Sequence, residues 1–117
     1  MKAPIGVGVL SFAHGHVGMY VQVMKGFPDV RLVAAYDDNP TRGEAICAQV
    51  GMAYSPHVED VLSRTDIQAV MIGSETCRHE ELCVAAAQAG KHILLQKPMA
   101  LTLEDCDRIA EAVERAG

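Results

Sequence analysis

Apolar residues in this chain come in short unbroken runs, each followed by small or polar residues and then by a stretch with helical spacing. The first run, Ile5 to Leu10, ends at Ser11 to His16, the pattern of a buried strand that opens into a loop. Val17, Tyr20, Val21 and Met24 then fall at i, i+3, i+4 and i+7, one apolar stripe on a helix that Gly26 and Pro28 close. A second strand is predicted over Val30 to Tyr36, interrupted only by Arg31, ahead of a turn at Asp37, Asp38, Asn39 and Pro40.

Beyond that turn, Thr41 can cap a helix carrying Ile46, Cys47 and Val50, with Gly51 just past its end. Met52 to Tyr54 reads as a short third strand, and Ser55-Pro56 leads into a brief helix with Val58, Val61 and Leu62 on one side. Ala69 to Ile72 is the fourth strand, breaking at Gly73 and Ser74. A helix from about His79 to Ala89 turns Leu82, Cys83 and Ala86 inward, and Gly90 stops it. Ile93 to Leu95 is the fifth strand. Thr102 and Asp105 have capping-box spacing for a last helix whose inward residues are Leu103, Cys106, Ala110 and Val113.

Short strands that are apolar on both faces and alternate with helices describe a parallel sheet covered on each side. The predicted fold is therefore α/β, a three-layer doubly wound, Rossmann-like sheet of about five strands, one short of the full dinucleotide fold. The 117 residues, 50% hydrophobic and 21% charged, suit one domain with a real core. A formal charge of -5 argues against a nucleic-acid partner, and no apolar run approaches the roughly 18 to 20 residues of a membrane helix. The four cysteines form no C-x-x-C pair and read as reduced thiols of a cytoplasmic protein. Lys2 before the first apolar run could also begin a secretion signal, but Gly6 and Gly8 inside it favour a strand.

Ligands of such a sheet bind at the carboxyl ends of its strands, where the strand order reverses. The residues there are Ser11, Phe12, Ala13 and His14 after the first strand, Asp37 after the second, Ser74 and His79 after the fourth, and Gln96, Lys97 and Pro98 after the fifth. Asp37 stands at the offset of a carboxylate that accepts the adenosine ribose hydroxyls of a dinucleotide, and it also suits a plain turn. Asp38 beside it repels a 2'-phosphate, which favours NAD over NADP. In the G-x-G-x-x-G frame of a phosphate loop the three glycine positions hold Ser11, Ala13 and His16. His14 and His16, with Cys77 or His79, offer a metal reading, though H-x-H in a loop lacks paired zinc spacing.

The chain resembles the glucose-fructose oxidoreductase, inositol dehydrogenase and MocA (Gfo/Idh/MocA) family over nearly its whole length. The resemblance is carried by Leu32-Val33-Ala34-Ala35-Tyr36-Asp37, Asn39-Pro40, Asp66-Ile67-Gln68-Ala69-Val70, and the run Ala89 to Thr102 with Ala89-Gly90-Lys91-His92 and Gln96-Lys97-Pro98. It implies an NAD(P)-dependent oxidoreductase acting on a hydroxyl-bearing small molecule of sugar or polyol type. It further implies that Lys97 reaches the nicotinamide and substrate as the catalytic residue, with Pro98 fixing the backbone; the plain alternative is a solvated lysine at a strand end. Gln96 stands where the family has glutamate. His79 either contacts the cofactor or starts its helix.

In the family a second domain carries the substrate pocket and acid–base partners, so residues 1–117 are expected to be the cofactor domain alone and catalytically incomplete. An open sheet edge predicts self-association into a homo-oligomer. The non-enzyme alternative is a nucleotide-binding or regulatory module.

Overall fold

The structure, a computed structural model, describes residues 4–95, 100 and 102–116, without the side chains of residues 15 and 16. Five parallel strands form one sheet: β1 (Ile5–Leu10), β2 (Val30–Tyr36), β3 (Ala53–Ser55), β4 (Ala69–Ile72) and β5 (His92–Leu95), in the order β3-β2-β1-β4-β5. The order runs outward from β1 in both directions, so the sheet is doubly wound and its switch point lies between β1 and β4. Helices α1 (Gly15–Met24), α2 (Pro40–Val50), α3 (Val58–Leu62), α4 (His79–Gln88) and α5 (Leu103–Ala116) connect and cover it.

Two cores result, one on each face. Val9, Phe12, Ala35 and Met71 pack with Val17, Val21, Cys47 and Val50 of α1 and α2. Leu10, Val33, Val70 and Ile72 pack on the other face with Val61, Leu82, Cys83, Ala86 and Ile109 of α3, α4 and α5. The run that could have opened a secretion signal is the central strand, with Gly6 to Leu10 all buried. Its ladder with β2 shifts register between Val7 and Gly8, and Leu10 still meets Tyr36 at the carboxyl end.

Three local expectations are corrected. The cap of α2 is Asn39, not Thr41: the Asn39 side chain accepts from the Arg42 amide at 3.1 Å, and Pro40 enters the helix as its first residue. Proline suits that position because its missing N–H has no helical partner there anyway. Met52 does not belong to β3, which runs from Ala53 to Ser55, because the Gly51 and Met52 amides both donate to the Cys47 carbonyl and close α2. Gly51 takes the left-handed φ of +77° that this closure needs.

The third correction concerns α5. Its buried residue is Ile109, whereas Leu103 is 81% exposed and Ala110 and Val113 also face outward. The capping residue is as expected, with the Asp105 amide donating to the Thr102 hydroxyl at 3.0 Å. Strand β5 departs from the two-sided apolar pattern in the same region: Ile93 and Leu95 reach the core, but Leu94 on the opposite face is 59% exposed. Tyr20 of α1 likewise lies at the margin of its stripe, while Val17 and Val21 are fully buried.

Candidate functional site

The chain leaves β1 through Ser11, which adopts φ +79°. Among the described residues it is the non-glycine residue with positive φ, a conformation costing an L-residue about 1–2 kcal/mol. It occupies the first glycine position of the phosphate-loop frame, so the turn has the torsion a glycine would supply. Two hydrogen bonds hold it: the Ser11 amide donates to the Tyr36 carbonyl at 2.7 Å, and its hydroxyl accepts from the Ala13 amide at 3.1 Å. The loop then leans on Gly73 just past β4, where the His14 amide donates to the Gly73 carbonyl at 2.7 Å. A Cβ at residue 73 would lie 2.3 Å from the Val17 side chain and 2.7 Å from the Ser11 carbonyl oxygen. The close helix-to-strand approach thus occurs at Gly73.

Asp37, at the end of β2, is completely buried. Its Oδ1 accepts from the Asn39 amide at 3.0 Å and from Arg42 at 2.7 Å. Its Oδ2 accepts from the Phe12 amide at 3.2 Å and from Arg42 Nε at 2.8 Å. A carboxylate offers about four lone-pair sites, and here all four are taken, two of them by one guanidinium. Burial pushes the Asp37 pKa up, but Arg42 and the Asn39 and Phe12 amides outweigh it and hold the carboxyl below its ordinary range. The Asp37 carbonyl in turn accepts from the Tyr54 hydroxyl at 2.9 Å.

Asp38 is the exposed carboxylate next door, and it meets two arginines, Arg42 at 3.3 Å and Arg78 at 3.4 Å. Its pKa is raised by partial burial, by the adjoining Asp37 carboxylate and by the charge of Glu75, against the pull of Arg78. Arg78 also donates to the Tyr36 hydroxyl at 2.8 Å and to Glu81 at 2.9 Å, and its guanidinium lies over the Tyr36 ring. Sequence reasoning missed both arginines. Arg42 had a signal, since it stands four residues after Asp38 in the first turn of a helix. Arg78 had none, because its partners Tyr36 and Asp38 lie about 40 residues away.

The expected site residues divide by accessibility. Ala13 and His14 are half-buried on the loop after β1, whereas Ser11 and Phe12 are buried and the Phe12 ring belongs to the core beside Val9 and Val17. Ser74 is buried and donates to the Glu75 carbonyl at 3.0 Å. His79, also buried, lies with Nε2 3.1 Å from the Ser74 carbonyl, an acceptor only, so this nitrogen donates. Its ring ties the first residue of α4 to the loop after β4. Gln96, Lys97 and Pro98 lie outside the described residues, as does the His16 side chain. Cys77 is exposed, and among the described residues no three His, Cys, Asp or Glu side chains converge as metal ligands would. Cys47 and Cys83 are buried thiols pushed up to about 11, by burial first and then by the charges of Asp37 and Glu80 respectively. No helix among the described residues is long and apolar enough to cross a membrane.

Loops after β1, β2 and β4 are therefore knitted together at the switch point, with a left-handed turn at its centre and a carboxylate at its flank. Comparison with known proteins finds the same fold elsewhere. The chain is 32% identical to an inositol 2-dehydrogenase of Klebsiella pneumoniae over 120 aligned positions, which cover 100% of this chain and 35% of that protein. Among solved structures, GenD2 from gentamicin A biosynthesis, in complex with NAD, superimposes with a TM-score of 0.91 at 21% identity, over 100% of this chain and 33% of that one. KijD10, a 3-ketoreductase from Actinomadura kijaniata crystallised with NADP, gives 0.86 at 23% identity over 97% of this chain and 35% of that one. The chain thus spans about a third of the length of the relatives it matches. Residues 3–117 match the model of the oxidoreductase family with an NAD-binding Rossmann fold, and the chain belongs to that Gfo/Idh/MocA family.

Proposed function

We propose that this chain is the cofactor domain of an NAD-preferring oxidoreductase that moves a hydride between nicotinamide and a hydroxyl group of a sugar or polyol. The observation that carries the reading is the Asp37 carboxylate at the end of β2, with two acceptor positions held only by Arg42. A ribose 2',3'-diol needs two acceptors, and it gains them when the Arg42 side chain, 31% exposed, swings outward. The other two acceptor positions keep their backbone amides, so Asp37 stays anchored while the diol exchanges with the guanidinium. The Ser11 turn supports the same reading, because it opens backbone toward the start of α1, where a pyrophosphate is expected.

Preference for NAD rests on charge. Asp38 and Glu75 share this region with Asp37, and Arg78 is already paired with Glu81. A 2'-phosphate arriving here meets three carboxylates, Asp37, Asp38 and Glu75, against the single guanidinium of Arg42 that the diol displaces. Nicotinamide, once bound, supplies the hydride acceptor or donor. Lys97 Nζ, by family resemblance, hydrogen-bonds the reacting oxygen and exchanges its proton as the hydride moves. The polyol class follows from the inositol dehydrogenase relative. The substrate pocket and acid–base partners are assigned to the part of the relatives' length that this chain does not cover, and the whole protein to a homo-oligomer in the cytoplasm.

Titrating NADH and NADPH against the chain while following nicotinamide fluorescence tests the proposal. Saturable NADH binding is expected, with NADPH weaker by about tenfold, the equivalent of about 1.4 kcal/mol of charge repulsion. Fluorescence that stays unsaturated for NADH removes the cofactor reading, and tighter NADPH binding removes the preference.

A further inference from the structure

Arg42 and Arg78 donate to different oxygens of Asp38 but are built differently. Arg42 sits on its own helix and spends both ends of its fork on Asp37. Arg78 precedes α4 and reaches back across the carboxyl ends of the strands, so its guanidinium lies between the loop after β4 and the loop after β2. Its NH1 donates to the Tyr36 hydroxyl at 2.8 Å, its Nε donates to Glu81 at 2.9 Å, and the Tyr36 ring centroid is 5.4 Å from the guanidinium carbon. Tethers at two nitrogens and an aromatic ring beside it set the plane of the group, and 23% of the side chain remains exposed.

We propose that Arg78 is a cofactor-binding residue whose guanidinium plane carries the adenine ring by stacking. The inference rests on the NAD reading above, because it takes the ribose position from Asp37. Arg78 touches Asp38, the next residue, so a base joined to a ribose at Asp37 lies within its reach. A guanidinium is planar, weakly hydrated and stacks on aromatic faces, which an ammonium does not. Stacking asks of the base only a π face, so it adds affinity for the adenosine half without reading the 2' position. Arg78 and Asp38 then divide the work: the first holds the base, the second rejects a phosphate on its sugar.

The experiment compares NADH with reduced nicotinamide mononucleotide, which lacks the adenosine half, on the wild-type chain, Arg78→Ala and Arg78→Lys. Arg78→Ala is expected to weaken NADH by about tenfold and to leave the mononucleotide unchanged. Arg78→Lys, which keeps the charge but not the plane, should stay close to Arg78→Ala. An equal loss for both ligands marks a merely structural role and overturns the proposal, as does unchanged NADH affinity. Full recovery by lysine would show that charge, not stacking, makes the contact. Thermal melts accompany each variant, and if Arg78→Ala does not fold, the lysine variant carries the comparison alone. A wild-type chain that fails to bind NADH refutes the NAD reading; binding that survives Arg78→Ala refutes only the role of Arg78.

Discussion

Replacing Asp37 by alanine should cost stability as well as cofactor affinity, and the size of the loss follows from its four hydrogen bonds. The Phe12 amide is buried and donates to Oδ2, so truncation leaves it unpaired at a cost of about 1–3 kcal/mol. The Asn39 amide is partly buried and loses Oδ1, while Arg42, with a third of its side chain exposed, recovers water and contributes about 1 kcal/mol. A total near 3 kcal/mol is a large share of the 5–15 kcal/mol available to a domain. At this length it lowers Tm by about 10 °C, measured by circular dichroism at neutral pH. Asp37→Asn supplies the pH test. The wild-type carboxyl titrates below its unfolded value of about 3.9, so its stabilisation is present above that pH and is lost as the pH falls through the folded value. The two proteins should therefore differ at pH 7, begin to converge as the pH falls below about 4, and meet only below the folded value. A Tm change under about 2 °C for Asp37→Ala, or a gap that persists in acid, would refute the account of Asp37 as the anchor of this corner.

Further outcomes follow from neighbouring residues. Ser11→Gly relieves a left-handed serine but gives up the hydroxyl bond to the Ala13 amide, so stability should rise by no more than about 1 kcal/mol, with NADH binding retained; a fall in Tm would contradict the strain. Gly73→Ala drives a methyl into Val17 and the Ser11 carbonyl and should destabilise by about 1–3 kcal/mol while weakening NADH, both read from one ligand-dependent melt. Lys91→Met removes the ammonium that donates to the Arg64 and Ile67 carbonyls at 2.7 and 2.6 Å, costing about 2 kcal/mol in denaturant titrations without changing NADH affinity.

Much of the fold was legible because strand and helix periods are local. The limits of β1, β2 and β4 follow from where apolar runs stop, and the carboxyl ends of the strands name the site once the sheet is parallel. The misses come from competition that a pattern does not display. Met52 is apolar enough for a strand but its amide is spent on closing α2. Ile109, passed over for a stripe through Leu103 and Val113, is the residue of α5 that is buried. The motif around Ala89 to Pro98 was read for its chemistry, yet Lys91 within it caps carbonyls at the amino end of β4, opposite the site. Asp37 was legible as a carboxylate at the end of β2, but not as one already saturated, because a sequence shows donors and acceptors without their occupancy.

A serine with left-handed torsion after the first strand bears on how such sites are sought. Searches that demand the letters G-x-G-x-x-G pass over Ser11, Ala13 and His16, yet the bend at residue 11 has the shape those letters stand for. The cost is an intrinsic penalty of about 1–2 kcal/mol, small enough for the surrounding amide and hydroxyl bonds to hold. Catalogues of dinucleotide folds written in dihedral space rather than in alphabets would recover relatives that spelling alone discards.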